Sequence, residues 1–173
     1  MSHPHDSSFR ARLLAGLPDA WEDFVDANAA ALLSTARALT NSRVNAEDAV
    51  QQTFLNLFRA RDSFARAERP RAYAFRVLHR VAGLMRARRA HLEALDEHRA
   101  PCAGHDETAE PDSELERALA TLSHEQREVV ALKIDGELTF AEIAALLAIP
   151  ADTAASRYRR ALERLRERLG GSP

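Results

Sequence analysis

Apolar side chains recur at steps of three and four residues through most of this chain, and no other feature constrains its fold as strongly. Such steps place side chains on one face of an α-helix, whereas a half-buried β-strand needs strict alternation. Aromatic residues, which favour strands, make up only 6% of the sequence. The predicted fold class is therefore all-α. Between residues 19 and 39 the apolar stripe consists of Trp21, Phe24, Val25, Ala29, Leu32, Leu33, Ala36 and Leu39.

Two further helices are predicted in the first half of the chain. One covers about residues 45–58, with Asn45 as its N-cap. Its first turn would hold Glu47 and Asp48, because acidic side chains are favourable at the positive end of the helix dipole. The next helix covers about residues 71–91, and the proline before it, at position 70, fits a first helical turn.

Helix starts in the second half are marked by capping boxes, in which a Ser or Thr is followed three residues later by Glu or Gln. The two side chains each bond the backbone N–H of the other residue and so satisfy the first turn. The three pairs are Ser113 with Glu116, Ser123 with Gln126, and Thr139 with Glu142. Each pair precedes an apolar stripe, and the predicted helices are residues 113–121, 123–135, 140–147 and 151–169.

Charge is distributed unevenly, although the net charge is only −2. Residues 69–92 contain seven Arg and no acid, whereas residues 100–116 contain six acids and no Arg or Lys. Residues 99–112 have no apolar period and contain Pro, Gly and acids, which indicates an acidic, flexible linker. Two small helical domains are therefore predicted, one on each side of this linker. The predicted segments are a flexible start at 1–18, domains at 19–98 and 113–169, and a tail at 170–173.

The last two predicted helices form a helix-turn-helix pattern. A short helix with an apolar face is followed by the turn at residues 148–150 and by a longer helix whose first half is polar and basic. A helix-turn-helix places its second helix in the major groove of DNA, where Arg and hydroxyl groups reach phosphates and base edges. The alternative is an ordinary helical hairpin with a solvated basic face.

Several kinds of chemistry find no support in the sequence. No Gly-rich phosphate loop, nucleophile elbow or zinc-protease motif occurs, so no enzymatic activity and no cofactor is expected. His98, Cys102 and His105 lack the spacing of a closed zinc site, so no metal site is predicted. The single Cys rules out a disulfide within the chain. No apolar run is long enough to span a membrane and no signal peptide is apparent, so a cytoplasmic location without membrane insertion is expected.

Both halves of the sequence resemble extracytoplasmic-function (ECF) sigma factors of the sigma-70 family. The N-terminal half does so in NAEDAVQQTFLNLF at 45–58 and in RAYAFR at 71–76, leading into the arginines at 86–89. The C-terminal half does so in LSHEQREVVAL at 122–132, LTFAEIAALL at 138–147 and TAASRYRRAL at 153–162. The resemblance implies a sigma subunit that binds core RNA polymerase and directs promoter recognition and melting, with an anti-sigma factor as a possible partner.

The resemblance also implies three sets of functional residues. The polymerase-binding set is Glu47, Asp48, Gln51, Gln52, Phe54 and Leu55. The set for unpaired −10 promoter DNA is Arg76, His79, Arg80, Arg86, Arg88 and Arg89. The set for the −35 duplex is Thr153, Ala155, Ser156, Arg157, Arg159 and Arg160. Tyr73 and Phe75 are candidates for stacking on bases and equally for the core.

Four residues depart from the pattern of the family. Arg80 and Leu84 stand where Asn and Asp are usual, and Asp152 and Ala155 replace Gly and Lys. Losing a Lys and adding an acid weakens the grip on phosphates, so an unusual promoter preference is expected. Two other functions therefore stay open, namely a stand-alone helix-turn-helix regulator and a degenerate sigma paralogue that titrates an anti-sigma factor.

Overall fold

The computed structural model describes residues 5–40, 42–95 and 114–170 of the chain. Within these residues the secondary structure is helical and contains no strand, as predicted. The helices are α1 His5–Leu14, α2 Pro18–Thr40, α3 Arg43–Arg59, α4 Arg61–Ala65, α5 Pro70–Leu95, α6 Glu114–Ala120, α7 His124–Ile134, α8 Phe140–Leu147 and α9 Ala151–Leu169. The predicted linker and the capping residue Ser113 lie outside the described residues.

Helix α1 was not predicted from the sequence. Residues 5–14 are helical rather than frayed, so the expectation of a flexible start is wrong for this segment. The helix is held by two apolar side chains rather than by a continuous stripe. Leu13 is buried, and the ring of Phe9 stacks on Phe24 with 5.6 Å between centroids. Packing of a few residues against a preformed core stabilises a helix that lacks a strong pattern of its own.

The start of α3 also differs from the prediction. Ser42, not Asn45, is the N-cap, and its hydroxyl oxygen accepts a bond from the backbone N–H of Asn45 at 3.4 Å. Asn45 already lies inside the helix, so Glu47 and Asp48 are not in the first turn. The cause is the end of α2, where the Thr40 hydroxyl bonds the carbonyl oxygen of Ser42 at 3.0 Å and brings this residue to the helix entrance.

The N-terminal helices surround an aromatic and aliphatic core. Phe64 of α4 is fully buried, and its ring meets the edge of Phe24 at 4.9 Å and that of Trp21 at 6.0 Å. Such edge-to-face pairs add about 1 kcal/mol each beyond the burial of apolar area. Phe75 of α5 is also fully buried, which assigns it to the core rather than to base stacking. The other fully buried large apolar residues of these helices are Leu32, Leu39, Leu57 and Leu78.

The C-terminal helices begin where the capping boxes predicted. Ser123 with Gln126, and Thr139 with Glu142, each form both reciprocal bonds. Helix α8 ends at Ala148, whose φ of 54° and ψ of 43° place it in the left-handed region that closes a helix. The sharp turn brings α9 back across α8, and the Tyr158 ring packs on Phe140 at 5.6 Å. A small core joins α6, α7 and α9 through Ala118, Leu122, Val130, Ala161 and Leu165.

The two halves of the chain share one hydrophobic core. Helix α7 packs on α2, and Val129, Leu132 and Leu138 are buried in the same cluster as the N-terminal aromatics. Gly136, just after α7, leaves no room for a side chain. A Cβ atom there would lie 2.7 Å from the Leu132 carbonyl oxygen and 3.1 Å from the Phe75 ring. The C-terminal helices therefore dock tightly on α2 and α5.

Candidate functional site

The predicted polymerase-binding residues lie along one side of α3. Its buried side is lined by small and apolar residues and faces α2 and α5. The opposite side exposes Glu47, Asp48, Gln51 and Gln52. Leu55 continues this exposed side and is 50% exposed. The predicted set is therefore available to a partner, apart from Phe54, which is half-buried with its ring edge-on to Trp21 at 6.3 Å.

A shallow apolar groove borders this exposed side. Its volume is about 300 Å³, and it lies between α2 and α3. The floor of the groove is aliphatic, and two polar members of the predicted set, Glu47 and Gln51, lie on its rim. A partner bound there would therefore contact apolar surface next to hydrogen-bond acceptors. The lining residues are Ala29, Ala30, Leu33, Glu47, Val50 and Gln51.

The predicted −10 set on α5 is divided by the structure. Arg80 and Arg88 are exposed on the surface of the helix, where they can reach a ligand. Arg76 and Arg86 are exposed as well, but they and the half-buried His79 also contact the C-terminal helices. Positions 79 and 86 are seven residues apart and share a helix face, which explains why both meet α7. Arg89, the last member of the set, is half-buried.

Two further arginines contact the C-terminal segment, namely Arg69 in the loop before α5 and Arg71 in α5. The guanidinium of Arg71 donates two bonds to the backbone carbonyl of Asp135, at 3.2 and 2.5 Å, and one to Asn28 Oδ1 at 2.8 Å. Asp135 is the C-cap of α7, so a cation of one domain stabilises the negative helix end of the other. The Asp135 carboxylate accepts a further bond from the Thr35 hydroxyl at 3.2 Å.

The Glu142 carboxylate binds hydrogen-bond donors from both domains. Its Oε2 atom lies 2.5 Å from Arg69 Nη1 and 2.8 Å from the backbone N of its cap residue Thr139, and its Oε1 atom lies 4.0 Å from Arg76 Nη1. Burial alone would raise the pKa of this carboxyl. The hydrogen bonds from Thr139 and Arg69 outweigh burial and lower the pKa of Glu142, so the carboxylate is ionised at neutral pH.

Two histidines complete the contact between α5 and α7. His79 Nε2 lies 3.0 Å from Oε1 of the buried Glu128. Burial is the largest influence and opposes ionisation of Glu128, but the hydrogen bond and charge of His79, with the charge of Arg86, lower its pKa overall. Arg86 contacts His124 Nε2, and a guanidinium can only donate, so this nitrogen accepts and His124 is neutral. Burial accordingly lowers the pKa of His124.

The helix-turn-helix presents the predicted −35 set on α9. Ala154 and Ala161 face inward, which turns the polar positions of the first half of the helix outward. Arg159 and Arg160 are exposed, whereas Thr153, Ala155, Ser156 and Arg157 are half-buried at the surface. The Ser156 hydroxyl bonds the Thr153 carbonyl at 3.0 Å, so its oxygen remains able to accept a bond. The arrangement leaves a basic helix surface of the kind that enters a major groove.

Sequence reasoning missed the acidic partners of α5. From the sequence, Glu128 was given only a helical position and Glu142 only a capping role, and Glu137 was given no role. Each of the three lies within 4.0 Å of a basic side chain of α5 or the residue before it. No local pattern marks pairs whose members are separated by 49 to 73 residues. The only available signal was the absence of acids from residues 69–92, which leaves that basic run without partners inside its own helix.

The family of this chain is shown by its similarity to known proteins. Residues 24–92 match the family described as Sigma-70 region 2, and residues 112–165 match Sigma-70, region 4. The RNA polymerase sigma-E factor of Streptomyces avermitilis is 33% identical over 153 residues, which cover 86% of this chain and 84% of that protein. The chain belongs to the extracytoplasmic-function group of the sigma-70 family. It is a sigma subunit for transcription initiation, and core RNA polymerase and promoter DNA are its partners.

Solved structures of sigma factors share the fold. The sigma factor RpoE from Bartonella quintana, crystallised with the anti-sigma factor NepR, is 25% identical, with a TM-score of 0.65 over 88% of this chain and 98% of that one. CnrH, solved in complex with the cytosolic domain of CnrY, gives a TM-score of 0.60 over 97% of this chain and 99% of that one. At 24% identity the likeness to CnrH concerns the fold alone.

The family is not a class of enzymes. Within the described ranges, no helix of this sigma factor is long and apolar enough to cross a membrane. The same ranges hold no group of three or more His, Cys, Asp or Glu side chains that could bind a metal ion. His98, Cys102 and His105 lie outside those ranges.

Proposed function

We propose that residues 19–98 bind core polymerase and unpaired −10 DNA, and that residues 113–169 bind the −35 duplex, with 99–112 as the linker between them. The observation that carries the polymerase assignment is the exposed side of α3, which includes Asp48 and Leu55 and borders an apolar groove lined by Glu47 and Gln51. An exposed apolar residue next to acids fits an interface whose core is apolar and whose rim is charged. The sigma factor itself carries out no catalysis and acts in the cytoplasm.

Reversing the charge at Asp48 tests the polymerase surface. Asp48→Arg is expected to weaken binding to core polymerase at least about tenfold, because like charges placed opposite each other cost several kcal/mol. Binding would be measured by competition of labelled wild-type sigma factor for purified core polymerase. Glu163→Arg, a charge reversal at an exposed position of α9, serves as the matched control and should leave core binding unchanged. Equal binding by both variants would contradict the assignment.

Run-off transcription with core polymerase tests whether the unusual promoter-binding residues still support initiation. The templates would come from the region upstream of the gene for this chain. We expect a specific transcript that disappears when Arg159 and Arg160 are replaced together by Ala. A chain that binds core polymerase but yields no transcript would instead fit a paralogue that titrates an anti-sigma factor.

An anti-sigma factor is also proposed as a partner. The supporting fact is that the Bartonella quintana relative was crystallised with one. Co-purification of the tagged chain from its own host, followed by mass spectrometry and reconstitution from purified components, would test this proposal.

A further inference from the structure

The outward side of helix α9 begins with an acid. Successive residues of an α-helix are rotated by about 100°, so positions four and seven residues apart lie on one side. Ala154 and Ala161 are fully buried and define the inward side of α9, which turns Asp152, Ser156 and Arg159 away from the core. An acid therefore shares the surface that the proposed function assigns to the −35 duplex.

The Asp152 carboxylate is not used within the described part of the chain. It has no hydrogen bond or ion pair there, and α9 begins after Pro150 without a side-chain cap. The residues three and four positions further on are Ala155 and Ser156, so no cation pairs with Asp152 at the usual helical spacing. The helix dipole favours an acid in this turn but does not occupy its oxygen atoms. The exposed carboxylate is therefore available to a ligand.

An unpaired carboxylate in the major groove restricts the DNA sequence that the helix can accept. Phosphates line the groove, and their like charge repels the carboxylate. The base edges in this groove present only two donors, the N4 amino group of cytosine and the N6 amino group of adenine. Adenine places its donor next to the N7 acceptor, which is unfavourable for a carboxylate, whereas cytosine presents only the donor. The best partner for Asp152 is therefore a cytosine.

We propose that Asp152 is a specificity-determining residue of the −35 surface, where it accepts a hydrogen bond from the N4 amino group of a cytosine. The proposal rests on the proposed function, because it takes the −35 assignment of α9 as given. Arg159 is exposed on the same side of the helix, about 10 Å further along its axis, and can bind phosphate. The acid that replaces the usual Gly of the family thus adds a base preference and does not only weaken the hold on phosphates.

Selection from a duplex DNA library tests the proposal with the full chain bound to core polymerase. The library keeps the flanks of the template used for run-off transcription and carries about one helical turn of random sequence at the −35 position. Bound duplexes are recovered through a tag on the chain and sequenced, and core polymerase alone gives the background.

The variants are Asp152→Ala and Asp152→Asn, which should melt close to the wild type because Asp152 is exposed and makes no bond. The matched control is Glu163→Ala, which removes one acid from an exposed position of the same helix, about 16 Å away along its axis.

The expected result is a change of base preference at one position of the recovered sequences. For the wild type, C should be recovered there at least about fivefold more often than any other base. Asp152→Ala should reduce this preference to below about twofold and leave the other positions unchanged. Asp152→Asn should turn the same position toward A, because an amide pairs with both the N6 donor and the N7 acceptor of adenine. Glu163→Ala should recover the same sequences as the wild type.

Two results would overturn this proposal alone. One is the same set of base preferences in the wild type and in Asp152→Ala. The other is tighter binding of Asp152→Ala to all sequences alike, which would mean that Asp152 only repels phosphates.

A separate variant distinguishes these results from failure of the −35 assignment. Arg159→Ala with Arg160→Ala alters exposed members of the −35 set without touching Asp152. Weaker recovery of every sequence by this variant supports the assignment on its own. If it recovers the library as the wild type does, α9 is not the duplex surface, and the cytosine proposal falls with the assignment.

Discussion

Arg71 is one of the side chains that join the two domains. Replacing it with Ala removes two hydrogen bonds to the Asp135 carbonyl and one to Asn28, whose side chain is buried. It also removes a guanidinium 5.5 Å from the centre of the Phe75 ring. A hydrogen bond from a charged donor contributes about 1.5–3 kcal/mol when its partner is buried. Because the Arg71 side chain is 32% exposed, we expect a total loss of only about 2–4 kcal/mol.

Urea denaturation with two probes measures this loss. Trp21 is the single tryptophan and lies in the N-terminal aromatic core, so its fluorescence reports on that domain, whereas circular dichroism reports on all helices. For the wild type we expect coincident transitions, because the domains share a core. For Arg71→Ala the circular dichroism transition should move to lower urea and separate from that of Trp21.

The control for Arg71 is Arg80→Ala, an exposed position of the same helix, which should change the free energy of unfolding by less than about 0.5 kcal/mol. The reasoning is refuted if Arg71→Ala behaves as Arg80→Ala does, with coincident transitions and a loss below that value. Such a result would mean that the domains are held by apolar contact alone.

Three other expectations concern stability. Phe64→Ala should destabilise the N-terminal domain by about 3–5 kcal/mol in urea denaturation, whereas Phe58→Ala, at a position 54% exposed, should cost under about 1 kcal/mol. Thr139→Ala removes the N-cap of α8 and should therefore lower the free energy of unfolding by about 1 kcal/mol, seen as a lower melting temperature. Thr139→Ser keeps a capping hydroxyl and should melt close to the wild type. Equal melting temperatures for the Ala and Ser variants would contradict the capping role. Acidification should destabilise the contact between α5 and α7. Both Glu128 and His124 have lowered pKa values, so the stability they contribute is complete above their ordinary pKa values and is lost as the pH falls through the folded ones. Thermal melts from neutral pH down to about pH 3 that show no such loss would contradict this cause. So would a loss below the ordinary pKa of a Glu carboxyl that is equally large in Glu128→Gln, because only the loss near the ordinary pKa of His should remain in that variant.

Local signals predicted the helices well where the sequence carries caps. The bounds of α8 and α9 agree with expectation because Thr139 and Glu142 fix one start and Pro150 fixes the other. Helix α1 escaped prediction because its apolar contacts come from Phe9 and Leu13, and two residues do not make a periodic stripe. Its other contacts are polar ones of Arg10 and Arg12 with residues outside the helix. The start of α3 was misplaced because Ser42 and Asn45, three residues apart, can each act as a cap, and only the path of the chain after α2 selects Ser42.

The sequence predicts which helix faces the candidate residues occupy, but it does not predict their contacts with distant segments. Helix periodicity is enough to predict that Asp48 and Gln51 face away from the core, because α3 packs on one side only. It is not enough to predict which members of the −10 set contact the C-terminal helices. Those contacts depend on which element of a distant segment packs against α5. The spacing of residues within one helix does not reveal ion pairs such as that of Arg69 with Glu142.

The position of Glu142 has a consequence for how such a protein can evolve. The Glu142 carboxylate completes the capping box of α8, the first helix of the helix-turn-helix, and also pairs with Arg69 immediately before α5. A substitution at this position therefore alters two promoter-facing elements at once. Relatives that lose this acid should therefore also have lost the arginines opposite it, at positions 69 and 76. Sequence variation across many relatives would then show these three positions changing together, even though 66 residues or more separate the acid from its partners in the chain.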